Sequence, residues 1–102
     1  MISNVMDVQI DEKIKQKIAE PDLYKVIMLN DNQTPMEWVI EILKTIFKHS
    51  DKTAQDITLS IHNTGSAVVG IYTYEIAEQR AIEATALSRD NGFPLQLKVE
   101  KE

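Results

Sequence analysis

The apolar positions of this chain change period along its length, and each change marks an element. Tyr24-Lys25-Val26-Ile27-Met28-Leu29 is a nearly unbroken apolar run rich in β-branched residues, which predicts a strand covered on both faces. Asn30-Asp31-Asn32 stops it, because these short side chains bond nearby backbone and favour turns. From Met36 the period becomes helical, with Met36, Val39, Ile40, Leu43 and Phe47 on one stripe. Thr34-Pro35-Met36-Glu37 reads as a capping box with proline at the first helical position. Thr34 would accept from the Glu37 N–H, and Glu37 would reach back to that of Thr34. Ser50 or Asp51 can cap a second helix that buries Ala54, Ile57 and Ile61 and ends before Gly65.

Ala67-Val68-Val69-Gly70-Ile71-Tyr72 predicts a second strand. Thr73 then caps a third helix that runs to about Asp90, where Asn91-Gly92 ends it. Leu95, Leu97 and Val99 alternate with Gln96, Lys98 and Glu100, which gives a final half-buried strand. The order is β-α-α-β-α-β, an α+β fold with three helices layered on a small three-stranded antiparallel sheet. Residues 1–20 do not share these patterns. Ile2, Val5, Met6, Val8 and Ile10 follow no period, and Ile14 and Ile18 support only a short, marginal helix before Pro21. The expected division is a flexible extension over 1–21 and one folded core over 22–102.

Composition narrows the function classes. At 102 residues the chain forms one domain with a single modest core. There are no cysteines, so disulfides and thiolate chemistry are excluded, and His49 and His62 alone do not make a zinc site. No cofactor or metal is expected. Eleven basic against 16 acidic residues leave a net charge of −5 with scattered lysines, the wrong balance for nucleic acid. No apolar run approaches the roughly 18 residues of a membrane span, and the first residues lack a signal-peptide pattern. The expectation is a bacterial cytoplasmic protein that binds neither nucleic acid nor membrane.

The candidate chemistry lies around Asn30-Asp31-Asn32, Met36 and His62-Asn63-Thr64-Gly65. A primary ammonium has three donors and no acceptor. When buried it needs a partner for each, at least one of them anionic. Asn30 can supply an amide oxygen, Asp31 a carboxylate and His62 a neutral ring nitrogen. Met36 would sit beside this trio and shape a pocket for an attached apolar side chain. Taken singly, each feature has a plainer reading. The Asn-Asp-Asn cluster is also an ordinary turn, His62 suits a helix C-terminus through the dipole, Met36 suits a core, and His49 suits a solvated helix end. From the residues alone, the reading is a small α+β domain with an amine-binding notch.

The combined pattern is more specific than its parts. Tyr24-Lys25-Val26-Ile27 leading to Asn30-Asp31 and Thr34-Pro35-Met36-Glu37, then His62, Gly65, Ala67, Gly70, Tyr72-Thr73, Glu75 and Ala77-Glu78, resembles the ClpS family of protease adaptors over residues 22–102. The resemblance implies an adaptor that captures proteins beginning with Leu, Phe, Tyr or Trp. It would act as a monomer and hand them to a ClpA- or ClpC-type AAA+ unfoldase, which feeds ClpP. It also implies roles: Asn30, Asp31 and His62 for the α-amino group, and Thr34, Met36, Val39, Thr58, Ile61 and Leu95 for the side-chain pocket. Met36 would act as a gate against β-branched residues. Glu75 and Arg80 would dock the unfoldase, and the extension would engage it during hand-over. The chain departs from the family pattern at Asn32, where many relatives carry a second acid, at Thr58 for a commoner methionine, and at Trp38 for phenylalanine.

Two other classes compete. Asp31 and His62 resemble an acid–base pair, but no nucleophile or metal partner accompanies them. Ser60 and Ser66 lie nearby without a Gly-x-Ser-x-Gly turn. A purely structural module, similar in fold to the carboxy-terminal domain of the bacterial ribosomal stalk protein, explains the core but leaves Asn30, Asp31 and His62 without a role.

Overall fold

The computed structural model describes residues 21–102. The extension expected over 1–21 and its short helix fall outside the described residues, Pro21 excepted. The elements are β1 (Leu23–Leu29), α1 (Met36–Thr45), α2 (Asp51–Thr64), β2 (Ser66–Thr73), α3 (Tyr74–Asp90) and β3 (Gln96–Lys101), in the order the sequence predicts. β1 is the central strand of a three-stranded antiparallel sheet, paired with β2 on one side and β3 on the other. Its central place accounts for the unbroken burial of Val26, Ile27 and Met28.

One core joins the layers. Val26, Met28, Val69 and Leu95 pack with Val39, Ile42 and Leu43 of α1, Ala54 and Ile61 of α2, and Ala77, Ala81 and Ala84 of α3. Complete burial of a side chain such as Met28, Ile42 or Leu43 contributes roughly 1.5–3 kcal/mol. α3 turns only small residues inward, Ala77, Ala81, Ala84 and Ser88 at helical spacing, so its backbone can approach the sheet closely.

The inner stripe of α1 is rotated from the predicted one. Ile42 and Ile46 join Val39, Leu43 and Phe47 inside, Ile40 is half-buried, and Met36 remains 40% exposed. In α2 Thr58 is buried along with Ala54 and Ile61, and Ile57 is half-buried beside it. Beyond α1 the chain turns through Lys48, whose φ of 62° is left-handed. That turn carries His49 to the sheet, its Nε2 2.6 Å from the Val69 carbonyl oxygen. His49 is therefore not a solvated helix end but a half-buried tie to β2. Val69 is the extra residue of a β-bulge, since Val26 faces Gly70 while Ile27 faces Val68. The bulge frees the Val69 carbonyl from the β1–β2 ladder, and His49 supplies its partner.

The helix ends follow local chemistry. Ser50 caps α2 by accepting from the Thr53 N–H at 3.2 Å, and Gly65 closes it in the left-handed conformation, φ 97°. The expected capping box does not form at α1. Pro35 holds the cap position without a side-chain bond, and its carbonyl accepts from the Trp38 and Val39 N–H groups. Thr34 instead donates its hydroxyl to the Asp31 carboxylate, a charge-assisted hydrogen bond. Thr73 begins α3 where predicted, again without a side-chain cap.

Candidate functional site

The end of β1 is fastened to the end of α2. The Asn30 N–H donates to the Gly65 carbonyl at 2.9 Å, and Leu29 pairs with Ser66. This closure sets the turn after β1 against the last turn of α2, where His62 stands. Gly65 makes it possible, because few residues other than glycine tolerate its positive φ.

Within the turn, Asp31 organises the backbone around itself. Its Oδ1 accepts from the N–H groups of Gln33 at 2.8 Å and Thr34 at 2.7 Å. Its Oδ2 accepts from the Thr34 hydroxyl at 2.8 Å. An ionised carboxylate has about four acceptor positions, so one remains, on Oδ2. Burial pushes the Asp31 pKa up, but these hydrogen bonds and the Arg89 charge outweigh it and hold the carboxyl below its ordinary value. The group is a fixed anion with one open position.

Beside it is a cavity of about 340 Å³, at the small end of the ~300–1,000 Å³ usual for ligand pockets. Asn30, Asp31, Asn32 and His62 form a polar rim; Thr34, Pro35 and Met36 form one side; Val39, Thr58 and Ile61 lie deepest. The last three are 7%, 3% and 3% exposed, so the cavity grades from wet and polar to dry and apolar. Both hydroxyls in its lining donate their hydrogens within the fold, Thr34 to Asp31 and Thr58 to the Ala54 carbonyl at 2.7 Å. Neither is placed as a nucleophile. Among the described residues, no cluster of three His, Asp or Glu side chains could hold a metal ion.

The structure brings together Asn30, Asp31, Thr34, Met36, Val39, Thr58, Ile61 and His62. Leu95 does not join them. It lies just before β3, 1% exposed within the core, and is not among the lining residues. Asn32, noted in the sequence as part of the polar cluster, and Pro35, noted only at the helix start, also line the cavity. Glu75 and Arg80 lie apart on α3, where Arg80 Nη1 approaches Glu83 Oε1 at 3.5 Å.

Fold and site define a small α+β module with a preformed cavity whose anionic rim and apolar floor suit a cationic group bearing a large side chain. The chain matches the family described as ATP-dependent Clp protease adaptor protein ClpS over residues 19–98. It is 44% identical over 88 residues to the ATP-dependent Clp protease adapter protein ClpS of Treponema denticola, covering 86% of this chain and 87% of that one. It is 41% identical over 102 residues to ClpS 2 of Agrobacterium fabrum, covering 100% and 99%. The solved structure of Agrobacterium tumefaciens ClpS2 bound to L-phenylalaninamide superposes with a TM-score of 0.79 at 44% identity, covering 81% of this chain and all of that one. The chain belongs to the ClpS family of Clp protease adaptors.

Proposed function

We propose that this protein holds the free amino terminus of polypeptides that begin with Leu, Phe, Tyr or Trp. It delivers them to a ClpA- or ClpC-type AAA+ unfoldase for degradation by ClpP, in a bacterial cytoplasm and without chemistry of its own. The observation that carries this reading is the single open acceptor position on Asp31 at the mouth of an apolar cavity. The α-ammonium donates to Asp31 Oδ2, to the Asn30 amide oxygen and to a neutral His62 nitrogen, which satisfies its three donors. The first side chain enters between Met36 and the Val39, Thr58 and Ile61 floor. The L-phenylalaninamide held by the A. tumefaciens relative carries a free amine and a phenyl group, the same two features.

Met36, exposed at the mouth, acts as a gate: a second substituent on Cβ would meet it, so Ile and Val are refused. Glu75 and Arg80 contribute to unfoldase docking, and residues 1–20 engage the unfoldase during transfer. Fluorescence anisotropy of labelled peptides beginning with Leu, Phe, Ile and acetylated Leu tests the recognition half. Leu and Phe bind, while Ile and acetyl-Leu are rejected. Indifference to acetylation would show that the amine is not read.

A further inference from the structure

The two edges of the sheet are finished differently. On the β2 side the strand is broken by the bulge at Val69, whose carbonyl His49 already occupies, and a bulged edge resists further pairing. β3 is straight. Its register with β1 runs from Tyr24–Lys101 to Leu29–Gln96 without a shift, and among the described residues no strand pairs with its other side. The Glu102 N–H donates to the Leu23 carbonyl. Backbone direction alternates along a strand, so Gln96, Lys98 and Glu100 also turn their N–H and C=O groups to β1. Leu97, Val99 and Lys101 turn theirs outward, away from the sheet.

The side chains of this edge are sorted by face. Leu97 and Val99 pack on the core, while Gln96, Lys98 and Glu100 are exposed on the opposite face. Lys98 and Glu100 carry opposite charges two residues apart, in contact at 3.1 Å within the chain. Beside Leu97 an apolar groove of about 340 Å³ runs along α3, lined by Ala81, Ile82, Thr85 and Ala86, with Glu78 its one charged wall.

We infer that β3 pairs with β3 of a second copy, antiparallel about a two-fold axis at Val99, so that two three-stranded sheets become one. Such a contact is isologous, the same patch on both sides. In this register Val99 faces Val99 and Leu97 faces Lys101, so every outward backbone group of the three residues gains a partner. Lys98 stands opposite Glu100 of the second copy, twice by symmetry, in the non-hydrogen-bonded positions where side chains are closest. The charge pattern selects this register. Moving the axis by one residue sets Lys98 against Lys98 or Glu100 against Glu100, and like charges directly opposite are unfavourable. On the helix side the stem of Lys101 lies over Leu97 at the mouth of the groove. No residue of β3 lines the cavity, so the dimer leaves both cavities open and stands independently of how they are read. The ClpS resemblance implies a monomer; the edge of this chain adds a weak, concentration-dependent dimer.

Sedimentation velocity of the full chain, from micromolar to millimolar concentration, tests the pairing. The expected result is a monomer–dimer equilibrium. Lys98→Glu and Glu100→Lys each weaken the dimer by about 10-fold or more, since each turns both cross-strand pairs from opposite to like charge. Both positions are exposed, and circular dichroism checks that each variant folds. Mixed in equal amounts, the two variants pair with each other as tightly as the unaltered chain does, because opposite charges face again. Glu100→Lys makes the chain less negative than its −5, so general repulsion between copies would predict the opposite change. A chain that stays monomeric throughout overturns the proposal. So does a dimer that neither single variant weakens, or one that mixing the variants does not restore, since either result places the contact elsewhere.

Discussion

The rim of the cavity and the outer face of α3 are both exposed and both charged, yet they are built in opposite ways. At the rim, three hydrogen bonds converge on Asp31, and the Asn30–Gly65 backbone bond locks the turn against α2. On α3, Arg80 makes only a long contact with Glu83 on the same helix, and Glu75 makes no ion pair among the described residues. Side chains of that kind keep their rotamer freedom and gain little from pairing. The first region is preorganised, as recognition of a small group at one spot requires. The second suits a broader contact assembled from many modest terms. On the proposed function, recognition and delivery occupy different surfaces, and each can be altered without the other.

The largest expected effect comes from removing the fixed anion. Asp31→Ala weakens binding of a Phe-initiated peptide by about 2–5 kcal/mol, because the ammonium loses its counter-charge; retained affinity in an anisotropy titration would sink the ammonium site. Met36→Ala comes next. It raises the affinity of Ile- and Val-initiated peptides relative to Leu by about 1–3 kcal/mol, the range typical of one methylene-sized steric difference, and an unchanged ratio would move the gate elsewhere. Gly65→Ala follows, at about 1–2 kcal/mol of stability. Nothing lies within 4 Å of the added Cβ, so the loss is conformational and reads out as a lower denaturation midpoint.

Acid separates the two regions further. The folded pKa of Asp31 lies below its ordinary value of 3.8. Its contribution to stability is therefore fully present above 3.8 and is lost as pH falls through the lowered folded value. The stability difference between the protein and Asp31→Asn is thus flat above pH 3.8 and shrinks below it; a difference that began to shrink well above that pH would contradict the hydrogen-bonded turn. The smallest effect is on α3. Glu75→Ala/Arg80→Ala changes peptide affinity by less than about 0.5 kcal/mol, as surface substitutions do, while slowing degradation of a Leu-initiated reporter by the unfoldase and peptidase. A loss of peptide affinity would show that the two surfaces are coupled.

Much of this was legible in the sequence, because the elements differ in period and their ends carry distinct residues. The covered run from Tyr24 to Leu29 fits the central strand, and Ser50 and Gly65 frame α2 as their chemistry requires. The cavity was legible through its rim, since Asn30, Asp31 and His62 are polar residues whose plainer roles did not exhaust their donor and acceptor groups. What escaped depended on competition between partners in space. Thr34 could accept from the Glu37 N–H or donate to Asp31, and only the fold shows its hydroxyl donating to Asp31. His49 looked solvated because the bulge at Val69, which frees a carbonyl for it, leaves no periodic trace. Trp38 and Phe93 are 55 positions apart in sequence and meet only in the folded chain.

The most direct test of the central claim, that one cavity reads an ammonium and a side chain together, is a backbone-amide NMR titration with L-phenylalaninamide and with its N-acetyl derivative. The account predicts saturable shifts at Asn30, Asp31, Thr34, Met36 and His62 with the free amine, none along the outer face of α3, and no saturation with the acetylated compound. Equivalent shifts with both compounds, or shifts centred on α3, would contradict it.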